Sequence, residues 1–304
     1  MPGVITTGAH PKALWPGVHA WWGRMYSEHP EEFPDLFDEE SSDQSYEEDV
    51  EVTGFGLAPV KNQGETIYYD SESQGSVTRY THVAYALGYI VTYEELRDNL
   101  YASVSKTRAK ALAFSMRQTK ENVAANVYNR AFNSTYTFGD GTTLISTAHP
   151  TSGDGNQSNQ LTTAADLSET SIEDMVIQIM QTENNRGMRI SALPRSLHIP
   201  VNLWFEANRI YKSVLQNDTA NNAINVLRAT NVFPEGIKVN HYFTDTDAWF
   251  VRTNVPNGMR HFTREAASFD QDNDFDTKNA KAACYERYSF GMTDFRGIFG
   301  TAGA

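Results

Sequence analysis

A single cysteine, Cys284, in 304 residues excludes an internal disulfide and fits a reducing compartment. By itself it reads as a small buried hydrophobe. No apolar run approaches the 18 or more residues of a membrane span, and the amino terminus lacks the basic-then-apolar layout of a signal peptide. Neither a membrane partner nor secretion is therefore expected, and the glycosylation-type triplets at Asn133, Asn156 and Asn217 carry no weight. The eight histidines are scattered, with no His-x-x-x-His pair and none at zinc-ligand spacing from the cysteine. There is no P-loop and no G-x-S-x-G elbow, and Gly54 and Gly56 are followed by Pro59 where a dinucleotide loop needs glycine. Asp270, Asp272, Asp274 and Asp276 alternate like the start of a calcium loop. Phe275 and Lys281, however, stand at its sixth and twelfth positions, so a polar strand or loop fits better. Acidic pairs such as Asp245 and Asp247 arise by chance among 38 acids. His149, before Pro150, reads as a hydrogen-bonded turn residue rather than a base. No catalytic residue, metal site or cofactor is assigned.

Basic residues are missing from one stretch altogether. Twelve acids lie between Glu28 and Glu51 without a Lys or Arg, and removing them from the net charge of −13 leaves −1 for the rest. A basic nucleic-acid groove is not apparent. With Pro30 and Pro34, the acidic segment should not form regular structure alone. It reads either as a solvated linker or as an arm crossing another subunit, able to span roughly 80 Å when extended at about 3.3 Å per residue.

What the chain does have is a long helical pattern from Thr92 to Phe132. Thr92 and Glu95 form a capping box, no Gly or Pro interrupts the run, and Leu96, Leu100, Val104, Ala111, Val123, Val127 and Ala131 recur at helical spacing. At 1.5 Å per residue the element is about 60 Å long, too long for a compact domain. Ahead of it, Leu14, Val18, Trp21 or Trp22 and Met25 predict a short amphipathic helix whose tryptophans must dock on the chain's own body or on a neighbour. Val83 to Val91 alternates as a strand, and Thr66–Tyr69 with Val77–Thr81 reads as a hairpin around the polar run 70–76. Later helices are expected at about Ser168–Asn185 and Asn202–Leu215. Strands are expected at Leu197–Ile199, Lys238–Phe243, Trp249–Arg252, Arg260–Arg264 and Tyr285–Phe290. The combination is α+β. Extensions that cannot be stable alone imply partners.

Six phrases in order then carry a resemblance: GFGLAPVKNQGETIYYD (54–70), YTHVAYALGYIVTYEELRDNLY (80–101), LISTAHP (144–150), LPRSLHIPVNLWFEA (193–207), TDTDAWFV (244–251) and RYSFGMTDFRGIFG (287–300). Together they resemble the Mu-like major head subunit family of tailed bacteriophages. The resemblance implies the α+β HK97-type capsid fold, with an amino-terminal arm (1–55), an E-loop (56–91), a P-domain with a spine helix (92–190), an A-domain (191–250) and return strands (251–304). It also implies hexamers and pentamers of the chain itself, forming an icosahedral shell around double-stranded DNA, and assembly in the bacterial cytoplasm. The expected partners are a separate scaffolding protein, because no cleaved scaffolding segment is evident, together with a portal and decoration proteins. Some relatives cross-link Lys to Asn between subunits; nothing here identifies such a pair, Lys61 being the nearest candidate.

On this reading the chain works by self-assembly rather than turnover. The expected interface residues are Trp15, Trp21 and Trp22 on the arm and Tyr68, Tyr69 and Tyr80 on the E-loop, because buried aromatics commonly dominate interfaces. The acidic arm is expected to meet Arg or Lys of a neighbour, or else face solvent or the lumen. An encapsulin-type compartment shares the fold. A metal-dependent hydrolase would instead need a convergent acid and histidine cluster, which the sequence does not offer.

Overall fold

A computed structural model describes residues 22–28, 30–97, 101–153, 155–216 and 223–304 of the chain. The described part begins with a helical turn, α1 (22–26), and a one-turn helix, α2 (Phe33–Leu36), that carries Pro34 in its first turn. The acidic segment that follows is ordered as strand: β1 (Asp38–Ser41) and β2 (Tyr46–Val52). The segment is regular because it is not alone. The backbone of each segment is satisfied by a partner strand far along the chain, which composition cannot reveal. β1 lies parallel to β10 (Met259–Asn273), and β2 pairs antiparallel with β3 (Gln74–Thr81).

The expected hairpin is therefore real but has a different first leg. Thr66–Tyr69 is not strand; β3 takes β2 as its partner, with Glu48 opposite Arg79 and Val50 opposite Val77. Residues 53–73 form the projecting end. Gly56 N donates to Asp70 (2.8 Å), Ser73 N donates to Thr53 (2.9 Å), and Asn62 N donates to Glu65 (3.0 Å) at the tip. Gly64, at φ 88°, supplies the left-handed turn residue.

β4 (Val83–Val91) fits its expected range and forms the edge of the first sheet, ordered β1-β10-β11-β4, with β11 (Ala280–Met292) antiparallel to both its neighbours. The long helical pattern resolves into α3 (Tyr93–Arg97) and α4 (Tyr101–Asn129). α4 spans about 43 Å at 1.5 Å per residue. Its small residues Ala109 and Ala113, with Leu112 and Met116, pack on Phe269, Ala282 and Cys284 of the sheet. Cys284 is buried, and that burial pushes its thiol up to about 12.

The second sheet is ordered β12-β9-β7-β8, from Ile298–Thr301, Trp249–Thr253, Pro194–Pro200 and Ile237–Asn240 respectively. The two prolines sit at the ends of β7, where they cost the ladder least. Alternation along these strands feeds two cores. Leu197, Ile199, Trp249, Val251 and Phe299 meet α5 (Glu169–Met180), α6 (Trp204–Lys212) and α7 (Val226–Ala229). Phe250 and Ile298 meet Ala124 and Tyr128 of α4 together with Phe33, Leu36 and Phe37. α4 thus packs on both sheets. α5 begins on a reciprocal capping box, Ser168 with Ser171. A two-stranded ribbon, β5 (His149–Thr151) with β6 (Gly155–Gln157), completes the fold.

Candidate assembly surfaces

The acidic segment is zipped onto its own subunit. Among the described residues, seven of its twelve acids face an Arg or Lys of the same chain, and an eighth, Glu32, faces a histidine. Glu31 pairs with Arg117, and Glu32 with His241 at 2.6 Å. Asp35 meets Lys238 at 2.8 Å; Asp38 meets Arg252 at 3.0 Å and Arg195 at 3.2 Å. Glu40 and Asp49 share Arg260, Glu48 lies near Arg79, and Glu51 lies 3.6 Å from Arg296. The near-neutral body therefore carries, at separated sequence positions, the cations that this segment needs. Within the subunit these acids thus find their cations on the chain's own body, where the sequence suggested a neighbour's cations, solvent or the lumen.

Apolar burial fixes the arm as firmly as charge does. Trp22 is 4% exposed, stacked between Tyr26 (5.1 Å) and Phe269 (5.5 Å). Tyr26 donates its hydroxyl to Glu286 (3.1 Å), and Arg117 donates to the Tyr26 carbonyl (3.2 Å). Glu121, fully buried on α4, accepts from the Glu32 amide at 3.0 Å. Burial raises its carboxyl to about 7. Lys120 lies over the Phe33 ring at 4.5 Å.

The base of the β2–β3 hairpin is equally well held. Arg296, with its side chain almost fully buried, donates to Asn185 (2.6 Å) and Gln157 (3.0 Å), and Asn185 donates to Glu51 (2.6 Å). Arg186 donates to the carbonyls of Gly54 (3.2 Å) and Ser71, closing the neck of the loop. Beyond that neck, Phe55, Leu57, Val60, Ile67, Tyr68 and Tyr69 are all exposed. The result is an apolar ribbon on a rigid stem.

The six aromatic residues predicted for interfaces separate accordingly. Tyr68 and Tyr69 stand out at 67% and 85% exposure. Tyr80, at 3%, lies inside the subunit, its hydroxyl 2.6 Å from Thr293 and its ring against Phe262. Gly291 leaves the space for that ring, since a Cβ there would come within 2.7 Å of it. Trp22 is likewise interior, and Trp15 and Trp21 lie outside the described residues. The anchoring arginines Arg186, Arg260 and Arg296 escaped sequence reasoning, because nothing local marks a cation whose partner is more than a hundred residues away. The alternation of Tyr46, Glu48, Val50 and Val52 was the available signal for β2.

His149 and the paired aspartates have structural roles. His149 is buried against Phe295 and bonded to Asp140 (2.5 Å) and Asn159 (3.0 Å). Asp245 accepts from the amides of Asp247 and Ala248, which makes a turn. Asp274 pairs with Lys281 at 2.9 Å beside the β10–β11 turn. Among the described residues no group of three metal-ligating side chains converges, and no helix is long and apolar enough to cross a membrane.

A two-sheet subunit with a bracing helix and a projecting ribbon is the architecture of a shell-building protein. The family model for phage capsid protein matches residues 75–300, and the chain belongs to that family. Solved structures share the fold at low identity. The capsid of an empty GTA particle aligns at 10% identity and TM-score 0.56, covering 100% of this chain and 92% of that one. The virus-like particle from Pyrococcus furiosus aligns at 10% and 0.54, covering 94% and 98%. Mycobacterium phage Patience aligns at 10% and 0.54, covering 98% and 88%. No curated protein matches the chain. The α+β HK97-type fold implied by the sequence resemblance is the fold observed.

Proposed function

We propose that this phage capsid protein is the major head subunit of a tailed phage, assembling without turnover into hexamers and pentamers of an icosahedral shell around double-stranded DNA. The observation that carries this reading is the apolar ribbon. Six large hydrophobic side chains stand exposed on a loop whose neck is fixed by Arg186 and whose stem is fixed by Arg260 and Arg296. Burying one such side chain is worth about 1.5–3 kcal/mol. A pre-ordered loop spends little of that on losing freedom when it docks. Once one contact holds two subunits together, further contacts become effectively intramolecular and can be individually weak.

On this reading residues 1–55 are the amino-terminal arm, 56–91 the E-loop, 92–190 the P-domain, 191–250 the A-domain and 251–304 the return strands. The pairing of β2 with β3 supports starting the E-loop stem earlier, at Tyr46. Tyr68 and Tyr69 reach a neighbour, whereas Trp22 and Tyr80 brace the subunit that presents them. A separate scaffold, a portal and decoration proteins complete the particle, which is assembled in the host cytoplasm. Negative-stain microscopy of the purified protein tests this reading: shells tens of nanometres wide are expected, and a monomer at every concentration would sink it. Protein cargo in place of nucleic acid would move the reading to an encapsulin-type compartment.

A further inference from the structure

Two helices of the layer over the second sheet carry exposed stripes that complement one another. On α5 the outward positions Glu173, Ile177 and Met180 follow helical spacing. With Leu193, Val226 and Val232 they line an apolar groove that has Glu173 at its rim. The α5 sequence contains no basic residue. On α6 and the turn before it, Val201, Phe205, Arg209 and Lys212 form the other stripe, apolar first and basic after. Phe205 is 77% exposed, and Trp204 beside it has Lys212 over its ring at 5.8 Å. One surface is a groove with an acidic rim; the other is an aromatic ridge with a basic end.

Their spacings match when the helices run antiparallel. Along α5, Ile177 and Met180 lie about 6 and 10 Å beyond Glu173; along α6, Phe205 and Val201 lie about 6 and 12 Å back from Arg209. Glu173 then faces Arg209, Ile177 faces Phe205 and Met180 faces Val201. Arg209 already pairs with Glu206 at 3.0 Å on the same helix. That exposed pair is worth too little to withhold the guanidinium from a second carboxylate.

We infer that the α6 ridge of one copy seats in the α5 groove of the next copy, a head-to-tail contact between unlike surfaces. Such contacts close into rings when the rotation permits. The inference rests on the capsid reading and adds to it the pair of surfaces that join neighbours within a ring.

The test compares the assembly of full-length wild type, Phe205→Asp, Glu173→Arg, Arg209→Glu and the double variant Glu173→Arg/Arg209→Glu by sedimentation velocity across a concentration series. Far-UV thermal melts of the unassembled chains check folding. Phe205→Asp and each single reversal are expected to raise the concentration needed for assembly at least about tenfold, the first by setting an unpaired carboxylate against Ile177 and the others by apposing like charges. The double variant is expected to return to within about threefold of wild type, a recovery that misfolding cannot produce. If wild type assembles and Phe205→Asp assembles at the same concentration, the contact is wrong. It is equally wrong if the double variant is no better than the poorer single one. If wild type itself never assembles, the capsid reading fails first.

Discussion

Glu95 and Arg108 are thirteen residues apart in sequence, and their side chains meet at 2.7 Å. In one straight helix their Cα atoms would be about 20 Å apart, beyond the joint reach of the two side chains. α3 and α4 are therefore not collinear. Thr92 caps α3 as expected, accepting from the Glu95 amide at 3.4 Å. The Glu95 carboxylate, however, turns to Arg108 instead of back to the cap. Arg108→Met is expected to speed amide exchange in residues 93–97 while changing the melting temperature little, since a partly exposed pair contributes about 0–1 kcal/mol. Exchange in 93–97 that stays at the wild-type rate would show that α3 is held in place by something else.

Asp38 serves two arginines, and the guanidinium of Arg252 is nearly buried. Asp38→Asn should cost about 1 kcal/mol, because a charged hydrogen bond is lost at the nearly buried Arg252 while Asp38 itself is half-exposed. Salt at 1 M should reproduce only part of this loss, because Asp38 and Arg195 are partly exposed and screened while Arg252 is shielded. Urea unfolding of the unassembled subunit at low and high salt gives both numbers.

Glu121 makes stability depend on pH in a defined direction. Its folded carboxyl titrates near 7 because burial disfavours the charge, although the Glu32 amide, and Arg117 nearby, oppose that shift. Between the ordinary carboxylate range and pH 7 the folded chain thus holds a proton that the unfolded chain has lost, so stability falls as pH rises through that window. Glu121→Gln should flatten this slope. His261, buried and lowered to about 3, acts oppositely, removing stability as pH falls below its ordinary range. Subtracting the urea-unfolding profile of the Gln variant from that of wild type isolates Glu121. A difference that does not vary between pH 5 and 7 would contradict the assignment.

Asn159 ties the segment after α4 to the carboxyl-terminal strands. Its amide donates to the carbonyls of Leu144 (2.8 Å), Phe295 (3.2 Å) and Ile298 (3.1 Å), while its oxygen accepts from Ser146 N (2.8 Å). Asn159→Asp would place a carboxylate oxygen against three carbonyls at a fully buried site. A loss of about 3 kcal/mol or more is expected, comparable to other unpaired buried charges. Thermal denaturation is the measurement, and a near-neutral result would mean that the site can reorganise.

Tyr68 and Tyr69 are fully expendable to the isolated subunit if they act between subunits. The double change Tyr68→Ser/Tyr69→Ser should leave the monomer melt unchanged while reducing particle yield in negative stain. A lowered melt with normal particles would reverse the assignment.

Local order was readable directly. The helical composition of 101–129, the alternation of Val83–Val91, the prolines bracketing β7 and the serine that starts α5 are each properties of a few adjacent residues, so each element appears close to where it was expected. The Mu-like phrases added the fold and the family, because a sequence pattern spread over the whole chain is itself a record of the whole. The candidate interface was legible only in part: the aromatic residues were visible, but not which of them face outward. The acidic run likewise read as a linker or an arm onto a neighbour for want of visible cations.

The chain by itself determined its absences, its helix-forming and strand-forming stretches and its uneven charge, since covalent structure and local sterics decide those within one or two turns. Tertiary structure alone decided that Asp38–Ser41 lies beside Arg260–Thr263, that Tyr80 turns inward while Tyr69 stays out, and that α3 and α4 are not collinear. The reason is physical: a strand's hydrogen bonds, a cation's partner and a ring's burial are satisfied by groups far away in sequence, and only the folded chain brings those groups within reach.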